Sequence, residues 1–134
     1  MSIKTSHVKL KRSALAAVSL LLLITLLGIY TALFIEIPEG EGWAFAMSSV
    51  ILMSHAVLGT LLIFYAGSIL VSARKAKSTL WTQVSVVALL GILLSVGTGS
   101  SFITADNDWL TFLMSIGFAL STLAYVYGIY ADQE

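Results

Sequence analysis

The chain has 134 residues, of which 58% are hydrophobic and only 10% charged, with a mean hydropathy of +0.97. Globular domains carry about a quarter charged residues, so this composition excludes an ordinary water-soluble core and requires lipid as solvent. The formal charge is zero because seven basic and seven acidic residues cancel, and the absence of cysteine excludes disulfides, thiolate metal sites, iron–sulfur clusters and thiol nucleophiles.

A transmembrane helix needs roughly 20 mostly apolar residues to cross about 30 Å of hydrocarbon. Four charge-free stretches meet that length: Ser13 to Ile35, Gly42 to Ala73, Ser78 to Ala105 and Trp109 to Ala131. They place spans at 13–35, 43–71, 80–104 and 109–131 in a single transmembrane domain covering residues 1–134. Short connections make consecutive spans antiparallel neighbours, so the expected class is all-α, an integral membrane four-helix bundle. A β-barrel is excluded because its strands alternate polar and apolar residues, whereas these stretches are apolar on all sides.

Before the first span stand Lys4, Lys9, Lys11 and Arg12, and between the second and third stand Arg74, Lys75 and Lys77. Lys and Arg near span ends favour the cytoplasmic side, so both termini are expected inside, with the tail residues Asp132 and Glu134. Glu36, Glu39 and Glu41, then Asp106 and Asp108, occupy the outer turns as solvated charges. Trp43 and Trp109 mark the outer headgroup level, and Trp81, Tyr127 and Tyr130 the inner one. A cleaved signal peptide would share the basic start, but the apolar run is too long and no small-x-small site precedes Glu36. This pattern points to the plasma membrane of a prokaryote.

Small residues at four-residue spacing let helices approach closely in lipid, where no hydrophobic drive joins them. The first span has Ala14, Leu21 and Gly28 with Thr25, the second Gly59 and Gly67, the third Gly91, Ser95 and Gly99, and the fourth Gly117, Ser121 and Ala124 with Gly128. Ser95 to Gly99 faintly resembles a potassium-channel filter but enters from the basic loop, without a pore helix on the acidic side. The run Gly97 to Ser101 is weak helix material and a candidate for an unwound last turn.

His55 is the one ionisable group inside a span. Counted from Trp43 along one continuous helix it lies roughly 18 Å down, near mid-membrane. Ionisable groups at such depth are costly and mark cofactor, ion or proton sites. Gly59 follows one turn later and leaves a gap on the same face, so His55 and Gly59 form the candidate cofactor site, with the imidazole as a haem-iron ligand. The competing reading is a neutral His55 hydrogen-bonded across the bundle to Ser95, Thr98, Ser121 or another hydroxyl. Two histidines usually hold a membrane haem; the second would come from a symmetric dimer, a partner protein or His7, or be replaced by water or by Met47, Met53 or Met114.

The sequence Ser54, His55, Ala56, Val57, Leu58, Gly59 in the second of four spans, the basic loop Arg74 to Lys77 and Gln83 opening the third span resemble one half of the heme A synthase family. The resemblance implies a haem-binding bundle with His55 as ligand. It departs from the family in lacking a histidine on the fourth span and a glutamate between Ser48 and Ser54, which puts synthase activity in doubt.

No phosphate loop, nucleophile–base pair or HExxH spacing is present, and nothing supports nucleic-acid binding. Two function classes therefore remain. One is an accessory or structural subunit, packing with other membrane subunits or with itself in an assembly such as a respiratory or other oxidoreductase complex. The other is a haem-binding membrane protein in electron transfer or haem handling. An oligomeric transporter is a third, less supported class.

Overall fold

A computed structural model describes residues 3–38, 40–105 and 107–132, with side chains from Ser6 onward. Lys4, Glu39, Asp106 and Glu134 of the charge pattern therefore lie outside the described side chains. Five helices form: α1 (Ile3–Phe34), α2 (Gly42–Ser48), α3 (Val50–Lys75), α4 (Thr79–Phe102) and α5 (Asp108–Ala131). Four of them, α1, α3, α4 and α5, are long and apolar enough to cross a membrane, and no strand occurs among the described residues. The chain is an all-α membrane bundle of four long helices.

The long helices form a ring in which α1 touches α3 and α5, and α4 touches α3 and α5. The most extensive contact is between α4 and α5, and it follows from the small residues. A Cβ on Gly91 would lie 2.6 Å from the carbonyl oxygen of Gly117 and would strike Ser121 Oγ. A Cβ on Gly117 would in turn strike Ser95 Oγ and the Gly91 carbonyl. The two backbones are in direct contact, and only glycine at both positions permits it. Two serines then cross the seam: Ser95 Oγ donates to the Met114 carbonyl at 2.7 Å and Ser121 Oγ to the Ala88 carbonyl at 2.9 Å. The candidate seams of the third and fourth spans are thus each other's partners.

The second apolar stretch is not one helix. Ser49 adopts an extended backbone (φ −85°, ψ 112°) that ends α2, and its hydroxyl accepts the Leu52 N–H as the N-cap of α3. Serine suits such a break because its side chain replaces a helical backbone partner. Conversely, the run Gly97 to Ser101 stays helical. Its hydroxyls bond back to the preceding carbonyls, Thr98 to Leu94 and Ser100 and Ser101 to Gly97, so the helix is retained where unwinding was expected.

The α3–α4 connection closes with the Ser78 N–H bonded to the Ala73 carbonyl and the Lys77 N–H to the Arg74 carbonyl. This is the Schellman pattern, which places the residue after the C-cap in the left-handed region, usually as glycine. Here that residue is Lys77, at φ 54°.

Packing is uneven along the bundle. Fully buried positions in α1 stop at Ile24, in α3 begin at Gly59, in α4 stop at Ser95 and in α5 begin at Gly117. Towards the basic end they continue to Leu10, Ala73, Trp81 and Gly128. Buried positions are therefore concentrated in the basic half of the bundle, and towards the acidic end only Ala46 of α2 is buried among the described residues.

Replacing Gly91 by Ala should cost about 1–3 kcal/mol, the usual range for overpacking. Gly67→Ala should be neutral or stabilising, because a Cβ there meets nothing within 4 Å and alanine is the better helix former. Unfolding of the two variants by heat or SDS in mild detergent distinguishes them by sign.

Candidate functional site

His55 sits in α3 five residues past Val50, about 8 Å into that helix. The break at Ser49 thus places it nearer the acidic end than a continuous helix would. Its ring is half-buried and packs edge-on against α1: a Cβ on Gly28 would lie 3.1 Å from Cε1 and 3.8 Å from each ring nitrogen. Gly28, counted among the small residues of the first span, is therefore the seat of the imidazole. Gly59, one turn on, is buried, and a Cβ there would lie 3.5 Å from Val96 Cγ2 of α4, so a neighbouring helix fills the expected gap. His55 Nδ1 is shielded from solvent and has no hydrogen-bond partner.

The hydroxyls proposed as its partners are engaged elsewhere. Ser95 and Ser121 hold the α4–α5 seam, and Thr98 bonds to the Leu94 and Ser95 carbonyls of its own helix. His7 is 21 residues from Gly28 along the same helix, about 31 Å away, so it does not reach His55. Of the methionines, Met47 and Met53 are exposed, and the sulfur of Met114 lies 3.1 Å from where a Cβ of Gly99 would stand. A lone ligand nitrogen pressed against one helix, with Val96 opposite Gly59, leaves no flat slot within a single chain. The residues of one chain do not fit a haem, although the unpartnered nitrogen retains the chemistry of a ligand or hydrogen-bond acceptor.

A second polar cluster, which the sequence reading did not anticipate, lies at the basic end. Asp132 is 5% exposed; His7 Nδ1 lies 2.8 Å from one carboxylate oxygen, and the Trp81 indole N–H donates to the other at 2.8 Å. Lys11 Nζ is 3.9 Å from the same oxygen as Trp81. Trp81 is fully buried, so it is a structural donor and not an exposed interfacial ring like Tyr127 and Tyr130. The contact joins the start of α1, the start of α4 and the end of α5, and it brings both termini to one end of the bundle. One signal was available: a buried tryptophan needs an acceptor, and Asp132 is one of only two carboxylates among the basic segments. Deeper in the same half, Ser85 Oγ and Tyr125 Oη are buried without partners.

Glu36, Glu41 and Asp108 are exposed, and no group of three or more potential metal ligands occurs among the described residues. Searches against protein-family models, curated proteins and solved structures found no match to this chain.

Burial alone would push the Asp132 carboxyl up, but the Trp81 N–H, the His7 ring and Lys11 together hold it below the usual carboxylate range. A carboxylate with a depressed folded value stabilises the fold above its unfolded pKa, near 4, and loses that contribution as pH falls through the folded value. Asp132→Asn should therefore cost about 1–3 kcal/mol at neutral pH. The gap between wild type and variant in detergent melting curves should close below about pH 4.

Proposed function

We propose that this chain is a small accessory or structural subunit of a larger membrane assembly, with its basic end and both termini on the cytoplasmic side of a cell membrane. The observation that carries the reading is the unequal packing. At the basic end both carboxylate oxygens of Asp132 are engaged by the chain's own helices, one by His7 and the other by Trp81. At the acidic end the four long helices bury no residue fully beyond Ile24, Gly59, Ser95 and Gly117. The acidic half thus leaves more of its apolar helix surface uncovered by the chain's own helices. Such surface gains contacts when another apolar segment packs on it closely.

A second reading rests on a different observation, the unpartnered Nδ1 of His55. In it the nitrogen is a haem ligand at a site shared with another subunit or a second copy, since one chain lacks both the slot and the second ligand. Respiratory and other oxidoreductase assemblies are the class to which this reading points.

Two measurements separate the readings. Protein extracted from native membranes in mild detergent should run as a complex well above the 14.3 kDa of one chain, with a second subunit in fixed ratio. A homogeneous monomer with native membranes intact during extraction contradicts the accessory role. A Soret band that sharpens into α and β bands on dithionite reduction, and disappears in His55→Leu, would establish the haem reading; full pigment in that variant excludes His55 as ligand.

A further inference from the structure

The junction of α3 and α4 forms a surface basin of about 320 Å³ lined by Arg74, Lys77, Ser78, Thr79, Thr82 and Gln83. Its lining is two cations, three hydroxyls and an amide, with no carboxylate. The ion pairs found among the described residues both go to Asp132, from His7 and Lys11, so among those residues neither Arg74 nor Lys77 has a carboxylate within 4.0 Å. Positive charge is therefore concentrated in a concave polar site whose lining holds no carboxylate.

We propose that this basin binds the phosphate diester of an anionic phospholipid in the leaflet at the basic end. Guanidinium and ammonium groups are the strongest side-chain partners for phosphate oxygens, and the Ser78 and Thr79 hydroxyls supply further donors, while the Thr82 hydroxyl donates to the Ser78 carbonyl. The basin sits where two spanning helices end, at the depth of lipid headgroups, with exposed Val71 and Val87 on the flanking helices at the level of acyl chains. That position favours a lipid headgroup over free phosphate. Lys77 adds a second indication. It occupies the left-handed position that glycine adopts freely, and in doing so puts a cation into the basin.

The purified full chain in a zwitterionic detergent is titrated with dioctanoyl phosphatidylglycerol, with dioctanoyl phosphatidylcholine and with inorganic phosphate, and bound lipid is counted by native mass spectrometry. One phosphatidylglycerol should be retained per chain in preference to phosphatidylcholine. Each cation removed should weaken it about fivefold, so Arg74→Gln with Lys77→Gln weakens it about 25-fold. Lys9→Gln, on the exposed side of α1, should change it less than twofold. Lys77→Gly serves as the folding control: it removes a cation while relieving the left-handed backbone, so it should melt no lower than wild type yet bind about fivefold more weakly. Equal retention of the two lipids, or unchanged affinity in the double variant, overturns the proposal. Displacement of the lipid by inorganic phosphate at equal concentration assigns the basin to free phosphate and overturns the lipid assignment.

Discussion

In a bilayer the solvent gives helices no reason to prefer each other over lipid, so a membrane bundle depends on places where backbones come closer than side chains ordinarily allow. In this chain that place is the α4–α5 seam, where Gly91 and Gly117 face each other's carbonyls and Ser95 and Ser121 donate across the gap. The reciprocal arrangement fixes rotation and height of the two helices together, since sliding either by one residue would bring a side chain into a carbonyl. On that pair α3 and α1 assemble through ordinary packing: Val96 against Gly59, and His55 against Gly28. The Tyr65 hydroxyl, donating to the Ser13 carbonyl at 3.3 Å, ties α3 to α1 in the basic half.

The Asp132 clasp complements the seam. Among the described residues it is the one place where α1, α4 and α5 share a polar contact, and it does so where α1 and α4 start and α5 ends. A carboxylate in such a position would be costly if bare, but groups from two helices, His7 and Lys11 of α1 and Trp81 of α4, compensate it. Beyond Ile24 and Ser95 nothing comparable holds the helices, and the imidazole of His55 is left with a nitrogen unbonded.

Membrane class, the number of spans and the small-residue seams were readable from the sequence because each depends on composition or on four-residue spacing. Gly91, Ser95, Gly117 and Ser121 illustrate this: their spacing marked them as seam residues, although only the fold paired them with one another. The break at Ser49 was not readable, since one serine in an apolar run is as compatible with a continuing helix as with a cap. That break starts a new helix at Val50, five residues before His55, and so changed what the residue can meet. The Asp132–Trp81–His7 contact was hidden for another reason. It joins residues from opposite ends of the chain, and local pattern carries no information about such pairing. His7 and Asp132 are 125 positions apart.

In the proposed assembly another membrane segment packs on the acidic half of the bundle, while the Asp132 contact ties the basic half together within the chain. The natural absence of cysteine allows spin labels at chosen pairs without background. One pair, at Lys9 and Val71, spans α1 and α3 at the basic end; another, at Leu33 and Phe112, spans α1 and α5 at the acidic end, all four at exposed positions. The distance distributions, measured by pulsed dipolar spectroscopy in native membranes and for the purified chain, test the claim directly. The expected result is a narrow distribution at the basic end in both, and one at the acidic end that is broad when purified and narrow in native membranes. A narrow, unchanged acidic-end distribution in both would show that the chain completes its own bundle and would contradict the account.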